Sequence, residues 1–180
     1  MKTLIALLRG INVGGRNKLS MADFQCILME LGASEVKTYL QSGNAVFRME
    51  SPDPELLAEA VRSAINDSFS FEPDVLILEE KQFHNALHNN PFKTDAADGK
   101  TLHTYFLAKT PIDPNIEKLN HLQTTSEQWE LHGAVFYLHT PDGFGRSKLA
   151  AGVEKALGVR ATARNQTTVA ALSKLLDNLR

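Results

Sequence analysis

The feature that most limits how this chain can fold is an internal repeat. GNAVF at Gly43–Phe47 is echoed by HGAVF at His132–Phe136, one copy in each half of 180 residues. In both halves the echo lies in a two-strand hairpin that follows a strand and a helix and precedes a helix and a strand. A recurring order of this kind is the mark of a duplicated supersecondary unit.

In the first half, Leu4 to Leu8 is a continuous apolar run closed by Gly10, the pattern of a strand buried on both faces. Ser20 and Asp23 have capping-box spacing, with Asp in place of the usual Glu. Met21, Phe24, Ile27, Leu28 and Leu31 then form a helical stripe ending at Gly32. Val36 to Gln41 and Ala45 to Met49 read as strands joined through Ser42-Gly43-Asn44, where glycine and asparagine tolerate positive φ. Asp53 followed by Pro54 predicts the cap and first residue of a helix that turns Leu57, Val61, Ala64 and Ile65 inward, and Val75 to Leu78 closes the unit as a strand.

The second half repeats this order. Leu102 to Ala108 reads as a strand, Asp113-Pro114 as the opening of a helix with Ile116 and Leu119, and Gln128 to Leu131 with Ala134 to His139 as a hairpin around His132-Gly133. A helix from Ser147 carries Leu149, Val153 and Leu157, a short strand follows near Arg160 to Ala163, and a last helix bears Val169, Leu172, Leu176 and Leu179. The expectation is an α+β protein made of two tandem ferredoxin-like β-α-β-β-α-β units with an extra C-terminal helix. Residues 1–79 form the first unit, 80–100 a linker, and 101–180 the second unit with the helix.

Composition excludes several classes. Hydrophobic residues make up 43% of the chain, the formal charge is −2, and the only cysteine is Cys26, so an internal disulfide is impossible. No apolar run is long enough to span a bilayer, and Leu4 to Leu8 is too short for a signal-peptide core, which points to a cytoplasmic protein with no membrane partner. Charge is nonetheless uneven. Glu50 to Glu80 holds nine acidic residues against Arg62, whereas Phe144 to Lys174 holds six basic residues against Glu154.

In a β-α-β-β-α-β sheet the first and third strands are antiparallel neighbours, so Arg9 to Lys18 should lie beside Ser42-Gly43-Asn44. By the same topology PDGFGRSK, after the seventh strand, should share a sheet end with ARNQTT, after the eighth. LLRGINVGGRNKLS, Leu7 to Ser20, spaces two glycines like a phosphate-binding loop, yet Arg16 and Asn17 stand where Lys and Ser/Thr are required. Its helix also starts several residues later, and VLILEE at Val75 to Glu80 is a core strand with a charged exit.

Four segments, LRGINVGG at Leu8–Gly15, TYLQSGNAVF at Thr38–Phe47, GFGRSKL at Gly143–Leu149 and ATARNQTTV at Ala161–Val169, together resemble the bacterial family catalogued as domain of unknown function 1697. The resemblance runs through nearly the whole chain and implies a tandem α/β fold without assigning an activity. Where the family commonly carries an aromatic after the Arg-Asn pair, this chain has Gln166.

The candidate ligand-binding residues are Arg9, Asn12, Gly14, Gly15 and Asn44 in the first unit and Arg146, Ser147, Lys148, Arg164 and Asn165 in the second. Glycines allow close backbone approach, arginines pair with anions, and a helix start favours negative charge. Each also has a plain structural reading: turn geometry for the glycines, helix caps for Ser147 and Asn165, solvated cations for the rest. The expected ligand is a phosphate-bearing small molecule or nucleotide. A nucleic-acid module with Tyr39, Phe47 and Tyr137 as stacking aromatics is the alternative, and a ligand-free scaffold a third reading. His84 and His88 lack the glutamate of a zinc protease, no nucleophile or poised base stands among the candidates, and no metal or cofactor is expected; whether the protein is an enzyme is left open.

Overall fold

The computed structural model describes residues 1–50, 53–92 and 99–179. Its elements run β1 (Lys2–Arg9), α1 (Met21–Glu30), β2 (Ser34–Tyr39), β3 (Asn44–Met49), α2 (Pro54–Phe69), β4 (Asp74–Glu79), α3 (Glu80–His88), β5 (Leu102–Leu107), α4 (Ile116–Leu122), β6 (Gln128–His132), β7 (Val135–His139), α5 (Lys148–Leu157), β8 (Ala161–Asn165) and α6 (Gln166–Asp177). They form two four-stranded antiparallel sheets, ordered β2-β3-β1-β4 and β6-β7-β5-β8. The two orders are one topology used twice, the ferredoxin-like arrangement expected from the repeat. By internal contacts one unit comprises Met1–Asn85 with the chain from Ala171 onward, and the other Ala86–Ala170.

In the first unit β1 lies between β3 and β4, and Leu4 to Leu8 are all fully buried, as the apolar run predicts. Leu4, Ala6 and Leu8 pack with Phe24 and Leu28 of α1 and with Val61 and Ile65 of α2. Local signals set the helix starts. Ser20 accepts a bond from the Asp23 amide, and Asp53 accepts from Glu55 and Leu56 with Pro54 as the first helical residue. α2 ends at Ser70 in the left-handed conformation.

In the second unit β5 lies between β7 and β8, and Tyr105 and Leu107 pack with Phe136, Leu149, Val153 and Leu157. Trp129 of β6 stacks on Phe136 of β7 at 5.4 Å between ring centroids. α4 begins later than Asp113-Pro114 implies, because the Asn115 side chain accepts from the Lys118 amide and becomes the cap. Gly158, at φ 66°, ends α5. The segment between β4 and β5 opens with α3, a helix that follows β4 without a break.

Candidate functional site

Each sheet presents one end built from glycine-rich and basic loops. In the first unit, Leu7 pairs with Asn44, and the Leu8 amide donates to the Gly43 carbonyl at 2.7 Å. The loop after β1 therefore lies beside the turn before β3, as topology requires. That turn sits so close that a Cβ on Gly43 would meet Leu8 Cβ at 2.6 Å and Ile11 Cδ1 at 2.8 Å.

The loop itself is a miniature hairpin. Asn12 N donates to Asn17 O at 3.0 Å and Arg16 N to Val13 O at 3.1 Å, with Gly14 and Gly15 at positive φ in the turn. The asparagines at its base also have positive φ, a conformation this residue type tolerates better than most. Asn12 Nδ2 donates to Leu19 O and Gln41 O, its Oδ1 accepts from Leu19 N, and Asn17 Nδ2 donates to Gly10 O. Pinned in this way, the hairpin presents Val13, Gly14, Gly15, Arg16 and Lys18 to solvent.

Its candidate residues thus divide by role. Asn12 is committed to backbone bonds, and Asn44, fully buried, donates to Tyr39 O and Ser42 Oγ. Arg9 pairs with Asp74 through Nε at 3.0 Å and Nη2 at 2.5 Å. Gly14 and Gly15 lie at the exposed tip, and the cations beside them are Arg16 and Lys18.

In the second unit the loop after β7 crosses the sheet end formed by β5 and β8. Leu102 pairs with His139 of β7, and His103 with Asn165 of β8. Phe144 stacks on His103, with ring centroids 3.7 Å apart and planes 19° from parallel, and also reaches Tyr105 at 6.1 Å. That stack anchors Gly143–Ser147 over the helix-facing side of the sheet. Ser147 accepts from the Ala150 amide and caps α5, while Arg146 and Lys148 on either side are exposed. Helix geometry leaves the Lys148 and Leu149 amides without an intrahelical acceptor. The loop's one carboxylate, Asp142, accepts from Ser126 Oγ at 2.6 Å.

Arg164 and Asn165 lie near this end but on opposite faces of the sheet. Asn165, opposite His103, accepts from the Thr168 amide and caps α6. Arg164 is opposite Thr104 and therefore on the alternate face, where burial lowers its guanidinium to about 10. Its Nη1 donates to Ala163 O. Arg146, Ser147 and Lys148 follow directly in the chain on Phe144, the residue that stacks on His103.

His103 was not among the candidates. It is only 8% exposed, its Nδ1 has no hydrogen-bond partner among the described residues, and burial lowers its pKa to about 4 against a weaker opposing effect from the Thr101 backbone. A histidine in the otherwise largely apolar strand LHTYFL was the available signal, and it does not distinguish a packed histidine from an exposed one.

Of the aromatics considered for base stacking, Phe47 and Tyr137 are buried, at 0% and 1% exposure, and Tyr39 is half-buried. Among the described residues no group of three or more His, Cys, Asp or Glu side chains is arranged to hold a metal, and no helix is long and apolar enough to cross a membrane. His84 Nε2 faces Glu80 at 3.4 Å, within a surface depression of about 500 Å³ whose Lys2 and Glu79 are also paired, at 2.5 Å.

The family described as "Protein of unknown function (DUF1697)" matches residues 1–137, which include the first two of the four sequence segments above. No curated protein matches the sequence. Among solved structures, conserved bacterial protein SP0830 from Streptococcus pneumoniae is similar at a TM-score of 0.69 and 22% identity, over 97% of this chain and 98% of that one. At that identity the likeness bears on the fold alone.

Proposed function

Because the chain belongs to the family described as "Protein of unknown function (DUF1697)", whose description assigns no activity, we propose its function from the loop chemistry: it binds a phosphate-bearing small molecule at Gly143–Lys148. The observation that carries the reading is the start of α5 directly behind this loop, with exposed Arg146 and Lys148 flanking the Ser147 cap. Two amides without an intrahelical acceptor and the positive end of the helix dipole stand beside two exposed cations. Phe144 on His103 fixes the approach of the backbone, so little order remains to be lost when an anion arrives.

Binding is the whole of the proposed role. The cations and amides would hold a phosphate; no nucleophile or base beside them is assigned a chemical step. The test is calorimetric titration with inorganic phosphate, a mononucleotide and a sugar phosphate, for wild type and for Arg146→Ala/Lys148→Ala. Saturable binding of at least one, weakened about tenfold or more in the variant, is expected, since each lost charge-assisted bond is worth about 1.5 kcal/mol or more. Equal binding by both proteins, or none by wild type, would remove this site from consideration.

A further inference from the structure

The hairpin of the first unit has the properties of a docking peg. Val13 at its tip is 70% exposed, and Leu40, in the neighbouring turn, is 54% exposed at a φ of 58°. Asn12 and Gln41, each next in sequence to one of these apolar residues, are joined by a 2.8 Å hydrogen bond. Arg16 and Lys18 complete the surface, and the segment from Gly10 to Ala22 contains no acidic residue. A rigid apolar tip with a basic rim suits a partner that offers an exposed apolar side chain ringed by carboxylates.

The chain carries such a partner at the other end of the same unit. β3 runs away from the hairpin, from Asn44 opposite Leu7 to Met49 opposite Lys2, and α2 begins beyond that far end. There Leu56 is 73% exposed beside Glu55, with Glu59 one turn on, and the first base along the helix is Arg62, bonded to Glu59. Since the two complementary patches occupy opposite ends of one unit, each copy can give one and receive the other.

We propose that the Val13–Lys18 hairpin docks on the first turns of α2 in a second copy, head to tail. The contact is heterologous, so it propagates instead of closing at a dimer, and it is too small to be tight. Salt weakens it by screening the charges at its rim.

Sedimentation equilibrium at low ionic strength, from about 10 µM to about 1 mM, tests the proposal. The weight-average mass of wild type should climb past the dimer without levelling there. Arg16→Glu/Lys18→Glu and Glu55→Lys/Glu59→Lys, all at exposed positions, should each stay monomeric alone, with association at least about tenfold weaker than wild type. Mixed in equal amounts they should associate again, because each then meets a partner of opposite charge. A wild type that stays monomeric, a plateau at the dimer, self-association of either variant at the wild-type level, or a mixture that stays monomeric would each overturn the proposal. Circular dichroism of both variants establishes that they are folded before they are weighed.

Discussion

The side-chain amide of Asn12 donates to the backbone carbonyl of Gln41 at 2.8 Å, tying the loop that leaves β1 to the turn that enters β3. One residue therefore holds two loops in register. It also tolerates the positive φ that the base of the hairpin needs.

Asn12→Ala should destabilise the protein by roughly 3 kcal/mol. It removes three hydrogen bonds, each worth about 1 kcal/mol net, and places alanine at a φ of 54°. Urea unfolding measures the loss, and an unchanged midpoint would mean that the hairpin is held by other contacts.

Two glycine substitutions should behave oppositely. Gly43→Ala drives a Cβ into Leu8 and Ile11 at a φ of 77°, a strain of about 2 to 4 kcal/mol that two packed side chains cannot relieve. Gly152→Ala in α5 meets only the side chain of half-buried Leu122, which can move, and it gains about 1 kcal/mol of helix propensity. Thermal melts of the two variants should differ clearly, with Gly152→Ala close to wild type.

Acid should weaken the second unit through His103. The unfolded histidine takes up a proton near pH 6.5, whereas the buried one does so only near pH 4. As pH falls from about 6.5 the unfolded state binds a proton that the folded state refuses, so stability is lost until about pH 4, by up to about 3 kcal/mol. His103→Gln removes this contribution. The stability gap between wild type and variant should therefore shrink on acidification, and a constant gap would contradict the shift.

Arg9 and Asp74 should contribute little to stability. Their side chains are 38% and 35% exposed, so a double-mutant cycle should give a coupling of about 1 kcal/mol or less. A coupling of several kcal/mol would mark the pair as far better shielded than its exposure implies.

The architecture was readable because its signals are local. Ser20, Asp53 and Ser147 cap the helices their spacing announced, and the Leu4–Leu8 run is buried as its continuity implied. The helix start misplaced to Asp113-Pro114 shows the limit of such signals, since the true cap is chosen by whichever side chain reaches a free amide, here Asn115. Site residues were harder to read, for a related reason. Asn12 and Asn44 look like free donors in sequence, but their amides are taken by Gln41, Tyr39 and Ser42, which only the turn brings near. Arg146 and Lys148 could be placed at a helix start in advance, because Ser147 ahead of the stripe Leu149, Val153 and Leu157 marks the cap. The separation of Arg164 from them depends on which residue of β5 it opposes, and sequence does not specify that register.

The position of β1 between β3 and β4 also governs events on the ribosome. The most apolar strand of the first sheet is made first, yet both its neighbours come later, β4 ending only at Glu79. β3, ending at Met49, is the first partner made, so for the several seconds its synthesis takes, at about 5 to 20 residues per second, Leu4–Leu8 has no strand to pair with, and the edge that β4 covers stays open longer. β5 then waits in the same way, first for β7 and then for β8. A nascent chain of this topology passes through two successive intervals of exposed apolar strand, and those are when a ribosome-associated chaperone would find it.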